Sequence, residues 1–174
     1  RNFLTKCVLH SCTVRKACLG YDRLSFATVT NKENFQDAYG VSGPIISDQA
    51  VRKDFIIESN KKGSQSVLHV AWCGSMSYRK NPAMALEIAV QCEKKGLKVH
   101  MHLIGGGSLL RLVNRRVTRM GLTNVTVHGS VKREVVARIF CNSDVLLFTS
   151  LAEANTATIF EGYESLCIPI ALNL

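Results

Sequence analysis

The stretch that decides the fold runs from Asp144 to Leu172 and reads DVLLFTS, LAEANTATIF and EGYESLCIPIAL. An apolar run from Val145 to Phe148 leads into a short polar loop, a segment of helical length and a second apolar run over 167–172. Strand, loop, helix and strand of this length predict one βαβ crossover between parallel strands. In open α/β sheets, ligands bind at the carboxyl ends of such strands.

Two acidic residues flank the expected start of the helix. Glu153 lies in the loop after the first strand and Glu161 lies in the early helix. Between them, a helix start would present free backbone N–H groups that suit a phosphate, at Asn155, Thr156 and Ala157. The arrangement favours a ligand that carries both hydroxyls and phosphates. An alternative remains open, because Thr158 and Glu161 also fit a capping box and Glu153 fits an ordinary solvated loop acid.

Composition indicates a globular protein with excess positive charge. The chain has 174 residues, 47% of them hydrophobic, and a formal net charge of +9. This length allows one good core, or one domain and part of another. The basic residues occur in runs of no more than two. Nucleotides, an anionic membrane or nucleic acid are therefore the acidic partners to consider.

The cysteines and the first residues of the chain indicate the cellular location and whether the sequence is a fragment. The seven cysteines are an odd number and form no C-x-x-C motif, which favours reduced thiols and a cytosolic location. No apolar stretch approaches the roughly 18 residues that suggest a membrane span. The first residue is Arg1 and no signal-type segment follows it, so we expect the chain to be a piece of a longer protein.

From residue 67 onward, predicted strands alternate with predicted helices. The strands are expected at 67–73, 98–104, 124–128, 145–148 and 167–172. Asn81 and Pro82 begin the first helix and Gly96 ends it, which is the usual asymmetry of helix ends. Further helices are expected at 108–120, at 132–141 and after residue 155. Five strands with four intervening helices predict an α/β fold, a parallel sheet covered by helices on both faces.

The first third of the chain is less regular. Residues 3–19 are a weak candidate for a helix, 24–29 for a short strand, and Asn31 is expected to cap a helix over 32–39 that stops at Gly40. The polar tract 58–66 is typical of a linker. We therefore expect residues 1–58 to be the end of one domain with its linker, and 59–174 to be a second domain truncated at its C-terminus.

Two loops that follow strands are candidates for anion binding. The loop from Gly74 to Asn81 places Arg79 and Lys80 before a helix N-terminus, where a diphosphate would need cations, although exposed Arg and Lys are more often solvated surface charges. The run Gly105–Gly107 either lets the backbone approach a ligand or forms a tight turn. It does not fit the dinucleotide motif G-x-G-x-x-G, because Leu110 occupies the place of the last glycine.

Three further patterns bear on metal binding, on nucleic-acid or membrane binding and on nucleophilic catalysis. His100 and His102 share one strand face, but a zinc site needs at least three protein ligands and no third lies near in sequence. Three arginines form a stripe along a helix, which suits nucleic acid or membrane but is more often a solvated face: Arg111, Arg115 and Arg119. The stripe lacks the interleaved aromatics that stack bases. No cysteine lies beside a histidine and an acid for nucleophilic catalysis.

Taken together, the segments from about Val67 to Leu174 resemble the C-terminal, donor-binding half of glycosyltransferase family 4, the retaining group 1 enzymes with the GT-B fold. The matching motifs are the G-x-x-x-x-R-K-N loop (74–81), LIGGGSLL (103–110), V-x-V-x-G-x-V (125–131), SDVLLFTSL (143–151), the Glu153/Glu161 pair and IPI (168–170). The resemblance implies a Rossmann-like sheet, one half of a GT-B fold. Residues 24–66 resemble the same family's interdomain region, which implies that the acceptor-side domain precedes it.

The resemblance assigns roles residue by residue. Glu153, which would bind the transferred sugar, and Lys80, which would bind the diphosphate, are the implied catalytic residues, and Glu161 would bind the ribose hydroxyls. The remaining implied donor-binding positions are Arg79, Gly74, Ser75, Ser130, Val131, Asn155, Thr156 and Ala157, with the base near Ser130 and Val131. No metal ligand and no cofactor is implied, because the nucleotide sugar is a substrate.

Three positions depart from the family pattern. Ser75 stands where an arginine is usual, Ala154 where a glycine is usual and Gly106 where an acid is frequent. Arg79 is the candidate to replace the missing cation.

The resemblance implies a retaining, hexosyltransferase-type enzyme of polysaccharide biosynthesis. It would transfer a sugar from a nucleotide-diphosphate sugar to a glycan or lipid-linked acceptor in the cytoplasm, with contact to the inner face of an anionic membrane as a further expectation. Its partners would include the missing N-terminal domain and no nucleic acid, and this piece alone is expected to be inactive. Two alternatives remain: a noncatalytic nucleotide- or nucleic-acid-binding module, and a GT-B sugar-nucleotide epimerase or phosphorylase.

Overall fold

A computed structural model of the protein describes residues 12, 16, 19–20, 24–26, 29–46, 66–153 and 157–172. The chain divides into two compact units, Arg1–Gln49 and Ala50–Leu174. The expected boundary at residues 58 and 59, and most of the helix expected at 3–19, lie outside the described residues.

The first unit contains helix α1, Val29–Tyr39. It begins earlier than expected, so Asn31 lies inside the helix and does not cap it. The short strand expected at 24–29 is wrong, because Phe26 makes only an isolated parallel bridge to Ile45. The ring of Phe26 lies 5.7 Å from that of Phe35 on the helix, and such packing overrides the weak strand propensity of the sequence. The helix ends before Gly40, whose positive φ of 69° suits a glycine.

The second unit contains the expected alternation of strands and helices. In chain order, its elements are β1 Leu68–Cys73, α2 Pro82–Lys94, β2 Val99–Ile104, α3 Leu110–Met120, β3 Val125–Gly129, α4 Arg133–Cys141, β4 Val145–Phe148, α5 Ala157–Glu164 and β5 Ile168–Ala171. All adjacent strands are parallel. The prediction of a parallel α/β sheet is therefore confirmed.

The sheet has the strand order β3-β2-β1-β4-β5. The chain moves outward from β1 to β3 and then returns to the other side of β1 to form β4. In open α/β sheets, the point where the strand order reverses leaves a crevice at the carboxyl ends of the two strands that meet there. Here that point lies between β1 and β4, which pair through Val70 with Val145 and Ala71 with Leu146.

Helices cover both faces of the sheet. On one face, alternate strand residues such as Trp72, Met101 and Leu147 pack against α2 and α3, where Leu86 and Val113 are buried. On the other face, alternate strand residues pack against α4 and α5, and the cluster includes Ala71, Ile104, Phe140, Leu146 and Ile159. Each of the central strands therefore has apolar side chains on both faces, as expected of a parallel sheet in this class.

The start of α2 positions the loop before it. The side chain of Asn81 accepts a hydrogen bond from the backbone N–H of Met84 at 3.4 Å, and Pro82 occupies the first turn. Asn81 has a positive φ of 50°, a conformation that asparagine tolerates better than most residues. The chain therefore turns sharply there, directly after Lys80.

Candidate functional site

The loops after β1 and β4 are in contact at the reversal point of the sheet. The backbone N–H of Leu151 donates to the carbonyl of Arg79 at 2.8 Å. Glu153 forms ion pairs with both cations of the first loop. Its Oε1 contacts the Nζ of Lys80, and its Oε2 lies 3.0 Å from the Nη1 of Arg79. Three charged side chains predicted separately from the sequence therefore meet at one place.

Lys80 and Arg79 differ in how much solvent they reach. The side chains of Lys80 and Glu153 are 15% and 23% exposed, whereas that of Arg79 is 53% exposed. Arg79 also donates to the carbonyl of Ala152 at 3.0 Å. Lys80 is thus the more enclosed of the two cations, and the carboxylate of Glu153 is paired with both of them. Arg79 lies at the rim and braces the backbone of the β4–α5 loop.

Opposing effects act on the carboxyl of Glu153. Burial alone would raise its pKa, but hydrogen bonds from Lys80 and Ser150, together with the positive charges of Lys80 and Arg79, outweigh burial and lower the pKa. The carboxylate is therefore charged at neutral pH. A charged acceptor beside two cations suits the hydroxyls of a ligand whose anionic part the cations bind.

A buried hydroxyl fixes the backbone that carries Lys80. The Oγ1 of Thr149 lies 2.9 Å from the carbonyl oxygen of Lys80 and 2.8 Å from that of Asn81, and it accepts a hydrogen bond from the indole Nε1 of Trp72 at 2.8 Å. Thr149 and Trp72 are both fully buried or nearly so. The two strands that flank the reversal point therefore hold the Lys80 backbone between them.

Glu161 forms a second ion pair at the same edge of the sheet. Its Oε1 contacts the Nη2 of Arg133, the first residue of α4. The side chain of Glu161 is only 10% exposed. The next residue, Gly162, allows α5 to pack closely on β4, because a Cβ at that position would overlap the side chain of Leu146. The alternative in which Thr158 and Glu161 form a capping box is not supported, because Thr158 is already the second residue of α5 and not its N-cap.

Cys73, the last residue of β1, interacts electrostatically with charged residues of both ion pairs. Burial, followed by the charge of Glu161, raises the pKa of its thiol to about 11, although Lys80 and Arg133 act to lower it. The thiol is therefore within electrostatic range of Lys80, Glu161 and Arg133. Glu153 and Glu161 thus each form an ion pair, Glu153 with Lys80 and Arg79 and Glu161 with Arg133.

The glycine run Gly105–Gly107 packs its backbone against that of the two neighbouring loops. A Cβ on Gly105 would overlap the carbonyl oxygen of Gly74, and one on Gly107 would lie 2.7 Å from that of Met76. The backbone N–H of Gly105 donates to Gly129 at 2.8 Å, and that of Met76 donates to Gly106 at 2.8 Å. The run is needed because three neighbouring loops pack backbone against backbone.

The other predicted donor-binding positions lie on loops at this edge. Ser75 contacts Ser77 through their hydroxyls at 3.1 Å, and Gly74 packs against the aliphatic part of Lys80. Ser130 is exposed beside Gly106, where any side chain on the glycine would meet its hydroxyl. Val131 packs against the cluster under α4. Ala157 begins α5, whereas Asn155 and Thr156 lie outside the described residues.

Two weaker sequence patterns also have defined outcomes. His69 and His128 join His100 and His102 on one sheet face, with ring nitrogens 3.2 Å apart between His69 and His102 and 3.1 Å apart between His102 and His128. Within the described ranges, no three His, Cys, Asp or Glu side chains are arranged to hold a metal ion. The arginines at 111, 115 and 119 are exposed, as the stripe predicted.

Sequence reasoning missed Arg133, Thr149 and Trp72. Arg133 contacts a residue 28 positions away, and the indole of Trp72 reaches a hydroxyl 77 positions away. Only the order of the strands brings these residues together. One local signal was present for Arg133, because a cation in the first turn of a helix opposes the helix dipole and so requires another reason.

The described helices include none that is both long and apolar enough to cross a membrane.

Comparison with solved structures shows the fold. TarM of S. aureus superimposes with a TM-score of 0.76 at 18% identity, over 91% of this chain and 31% of TarM. The pneumococcal O-GlcNAc transferase GtfA gives 0.76 at 13% identity, over 94% and 32%. WaaG, a glycosyltransferase involved in lipopolysaccharide biosynthesis, gives 0.68 at 17% identity, over 98% and 51%. The chain thus spans one third to one half of the length of these GT-B proteins.

Comparison with curated protein sequences found no match. A family model described as glycosyl transferases group 1 matches residues 68–174, the whole of the described sheet and its helices. With the fold and the motifs at the strand ends in agreement, the chain belongs to the glycosyl transferases group 1 family.

Proposed function

We propose that this chain is the donor-binding half of a retaining, hexosyltransferase-type glycosyltransferase. The complete enzyme transfers a sugar from a nucleotide-diphosphate sugar to a glycan or lipid-linked acceptor. The observation that carries the proposal is the ion pair between Lys80 and Glu153 where the loops after β1 and β4 meet. Glu161 adds a second carboxylate, which is paired with Arg133 at the start of α4. This edge supplies carboxylates for hydroxyls and an enclosed cation for phosphate, and a nucleotide sugar carries both.

Each charged residue has a proposed role. Lys80 and the first turn of α5, which begins at Ala157, bind the diphosphate. Glu153 binds the hydroxyls of the transferred sugar, and Glu161 binds those of the ribose. Ser130 and Val131 line the base. Arg79 is proposed as a rim cation for the diphosphate, because its guanidinium already lies within 3.0 Å of Glu153.

In the proposed reaction, the bond between the anomeric carbon and the diphosphate oxygen breaks and its electron pair leaves with the nucleoside diphosphate. The acceptor oxygen bonds to the same face of the anomeric carbon, and its proton passes to the departing diphosphate. Lys80 and the helix N-terminus stabilise the charge that develops on the leaving group. Fixed, preorganised charges of this kind are often the largest single contribution to catalysis.

The acceptor approaches from outside the described residues in this proposal. The domain that binds it precedes the present sheet in the complete enzyme, and the isolated chain binds donor without transferring sugar. The exposed arginines of α3 are proposed to favour an anionic membrane surface, where a lipid-linked acceptor would lie. The enzyme is proposed to act in the cytoplasm.

A titration with nucleotides tests the proposal. TarM and GtfA were each solved in complex with UDP, so UDP is the first probe and ADP and GDP are the next. We expect saturable binding of one of the three by calorimetry, weakened at least tenfold by Glu161→Ala. Steeply salt-dependent binding to single-stranded polynucleotide, with none of the three bound, would instead support a nucleic-acid-binding module that uses the α3 arginines.

A second measurement separates transfer from epimerisation within the same fold. The complete enzyme is incubated with the nucleotide sugar alone, and its products are separated by chromatography. A transferase leaves the configuration of the donor unchanged, whereas an epimerase converts the donor without an acceptor. An accumulating epimer would overturn the proposed transfer.

A further inference from the structure

We propose that Arg133 is a positioning residue that fixes the carboxylate of Glu161 for the ribose and so sets the preference for ribonucleotides over 2′-deoxyribonucleotides. The inference rests on the proposed function, because it deepens the role of Glu161. Nothing in the sequence motifs assigns a role to Arg133. Its role follows from the contact between the two side chains and from where that contact lies.

The ion pair joins an interior carboxylate to a cation at the surface. The side chain of Glu161 is 10% exposed and that of Arg133 is 41% exposed. An ionised carboxylate loses much of its hydration when it is buried, so it needs a charged partner in that position. Arg133 supplies this partner from α4 while Glu161 is carried by α5. The carboxylate is therefore held at the interface of two helices and at the edge of the crevice.

The position of Arg133 in its helix supports a role beyond structure. Arg133 is the first residue of α4, where the positive end of the helix dipole makes a cation unfavourable. Local choices that oppose stability are expected mainly at functional sites. By contrast, Arg138 lies in the last turn of the same helix, where the dipole favours a cation. The helix dipole therefore opposes the charge of Arg133 and favours that of Arg138, although both residues lie on the same helix.

Arg133 also lies next to the proposed base-binding loop. It follows Ser130 and Val131 by two to three residues, so one helix start carries both the wall for the base and the partner of Glu161. Moving this helix start would move both together. In the proposed complex, the start of α4 therefore holds the base and the ribose in a fixed relation, because Arg133 pairs with Glu161.

A fixed carboxylate discriminates between sugars, and a mobile one does not. A site built to accept a hydroxyl rejects an analogue that lacks it, because the buried acceptor is then left without its partner. This penalty applies only while Arg133 prevents Glu161 from turning towards water. Without Arg133, the carboxylate can find solvent, so loss of the 2′-hydroxyl costs less.

The test measures the affinity of the 174-residue chain for UDP and for 2′-deoxy-UDP by calorimetry. If ADP or GDP is the nucleotide that binds, the same pair is made from that base. The variants are Arg133→Gln and Arg133→Lys, with Arg138→Gln as the matched control on the same helix. Circular dichroism and thermal unfolding show whether each variant is folded.

We expect the wild-type chain and Arg138→Gln to prefer the ribonucleotide about tenfold. Arg133→Gln should reduce this preference to about twofold, mainly by weakening UDP binding, and Arg133→Lys should restore part of it. An equal loss for both nucleotides would show that Arg133 contacts the phosphates or only supports the fold, and would overturn the inference. Failure of the wild-type chain to bind UDP, ADP or GDP would overturn the proposed function itself.

Discussion

Lys80 and Glu153 form an ion pair although 73 residues separate them in the chain. In the proposed function, Lys80 binds a diphosphate and Glu153 binds a sugar, so in the ligand-free chain the two groups neutralise each other. An incoming diphosphate must therefore replace Glu153 as the counterion of Lys80. Because of this exchange, we expect removal of the Lys80 charge and removal of the Glu153 charge to have different effects on diphosphate binding.

Neutralising each partner separates these effects. Lys80→Gln should weaken UDP binding at least tenfold, because the phosphates lose an enclosed cation. Glu153→Gln should bind UDP at least as tightly as the wild-type chain, because Lys80 no longer has a competing anion, while sugar transfer by the complete enzyme is lost. Calorimetry measures binding, and product formation from a nucleotide sugar measures transfer.

Lys95→Gln, on an exposed lysine after α2, is the control for a change of one positive charge. If Glu153→Gln and Lys80→Gln weaken UDP binding by the same factor, the ion pair supports the fold of the loop and does not exchange with phosphate.

The Thr149 hydroxyl predicts a stability effect linked to ligand binding. Thr149→Val removes the acceptor of the Trp72 indole and the donor to the Lys80 and Asn81 carbonyls. Leaving buried polar groups unpaired should lower the free energy of unfolding by about 1–3 kcal/mol. UDP binding should weaken as well, since the Lys80 backbone loses its support.

Urea denaturation and calorimetry check both effects. Thr149→Ser retains the hydroxyl and should retain most of the UDP affinity. A valine variant with normal affinity would show that the rest of the loop is sufficient to position Lys80.

Much of the sheet could be predicted because its signals are local. The strand at Val145–Phe148 has the expected bounds, since an unbroken apolar run ends at polar residues on both sides. Asn81, Pro82 and Gly96 likewise mark the ends of a helix through backbone requirements that neighbours cannot change. The positions of Glu153 in the loop after β4 and of Glu161 in α5 were predictable for the same reason, because the strand, the loop and the helix follow one another in the sequence.

The residues that could not be predicted from the sequence depend on contacts between segments that are distant in the chain. Trp72 became recognisable only when the strand order placed β1 beside β4, and Arg133 only when the fold placed the start of α4 beside α5. The short strand expected near Phe26 was wrong because ring packing against α1 determined the local structure. The histidine pattern was incomplete for a similar reason, since His69 and His128 belong to strands on either side of β2.

Three histidines on one sheet face, His100, His102 and His128, predict a loss of stability in mild acid. Burial, followed by the charges of its three neighbours, lowers the pKa of His102 to about 4, and burial lowers the pKa of His100 and His128 as well. A histidine in the unfolded chain has a pKa of about 6.5. The folded state therefore binds fewer protons, so its advantage is complete above pH 6.5 and is lost as the pH falls towards 4.

Urea denaturation at pH 7 and at pH 5.3 measures this loss before most carboxylates titrate. We expect a decrease of about 1 kcal/mol, a figure already reduced because the His102 ring is partly exposed. His102→Gln should flatten the dependence. If the free energy of unfolding of that variant decreases just as steeply with pH, groups other than His102 cause the loss of stability.

Alanine substitutions at two glycines distinguish the cost of a positive φ from the cost of steric overlap between the added Cβ and neighbouring backbone. Gly121, after α3, has a φ of 63° and no atom within 4 Å of an added Cβ. Gly121→Ala should therefore lower the free energy of unfolding by about 1–2 kcal/mol, the cost of the left-handed conformation alone. Gly105 has a φ of 131°, and its added Cβ would overlap the carbonyl oxygen of Gly74, which is backbone and cannot rotate away.

Gly105→Ala should cost at least about 3 kcal/mol, because conformational strain is joined by separation of the packed loops. The same separation would break the hydrogen bonds from Gly105 to Gly129 and from Gly74 to Ile104, and so displace the loop that carries Lys80. Urea denaturation of both variants, with UDP titration of any that fold, checks the difference. Equal losses at the two positions would mean that the loops can move apart freely, and that the glycine run serves the ligand instead of the packing.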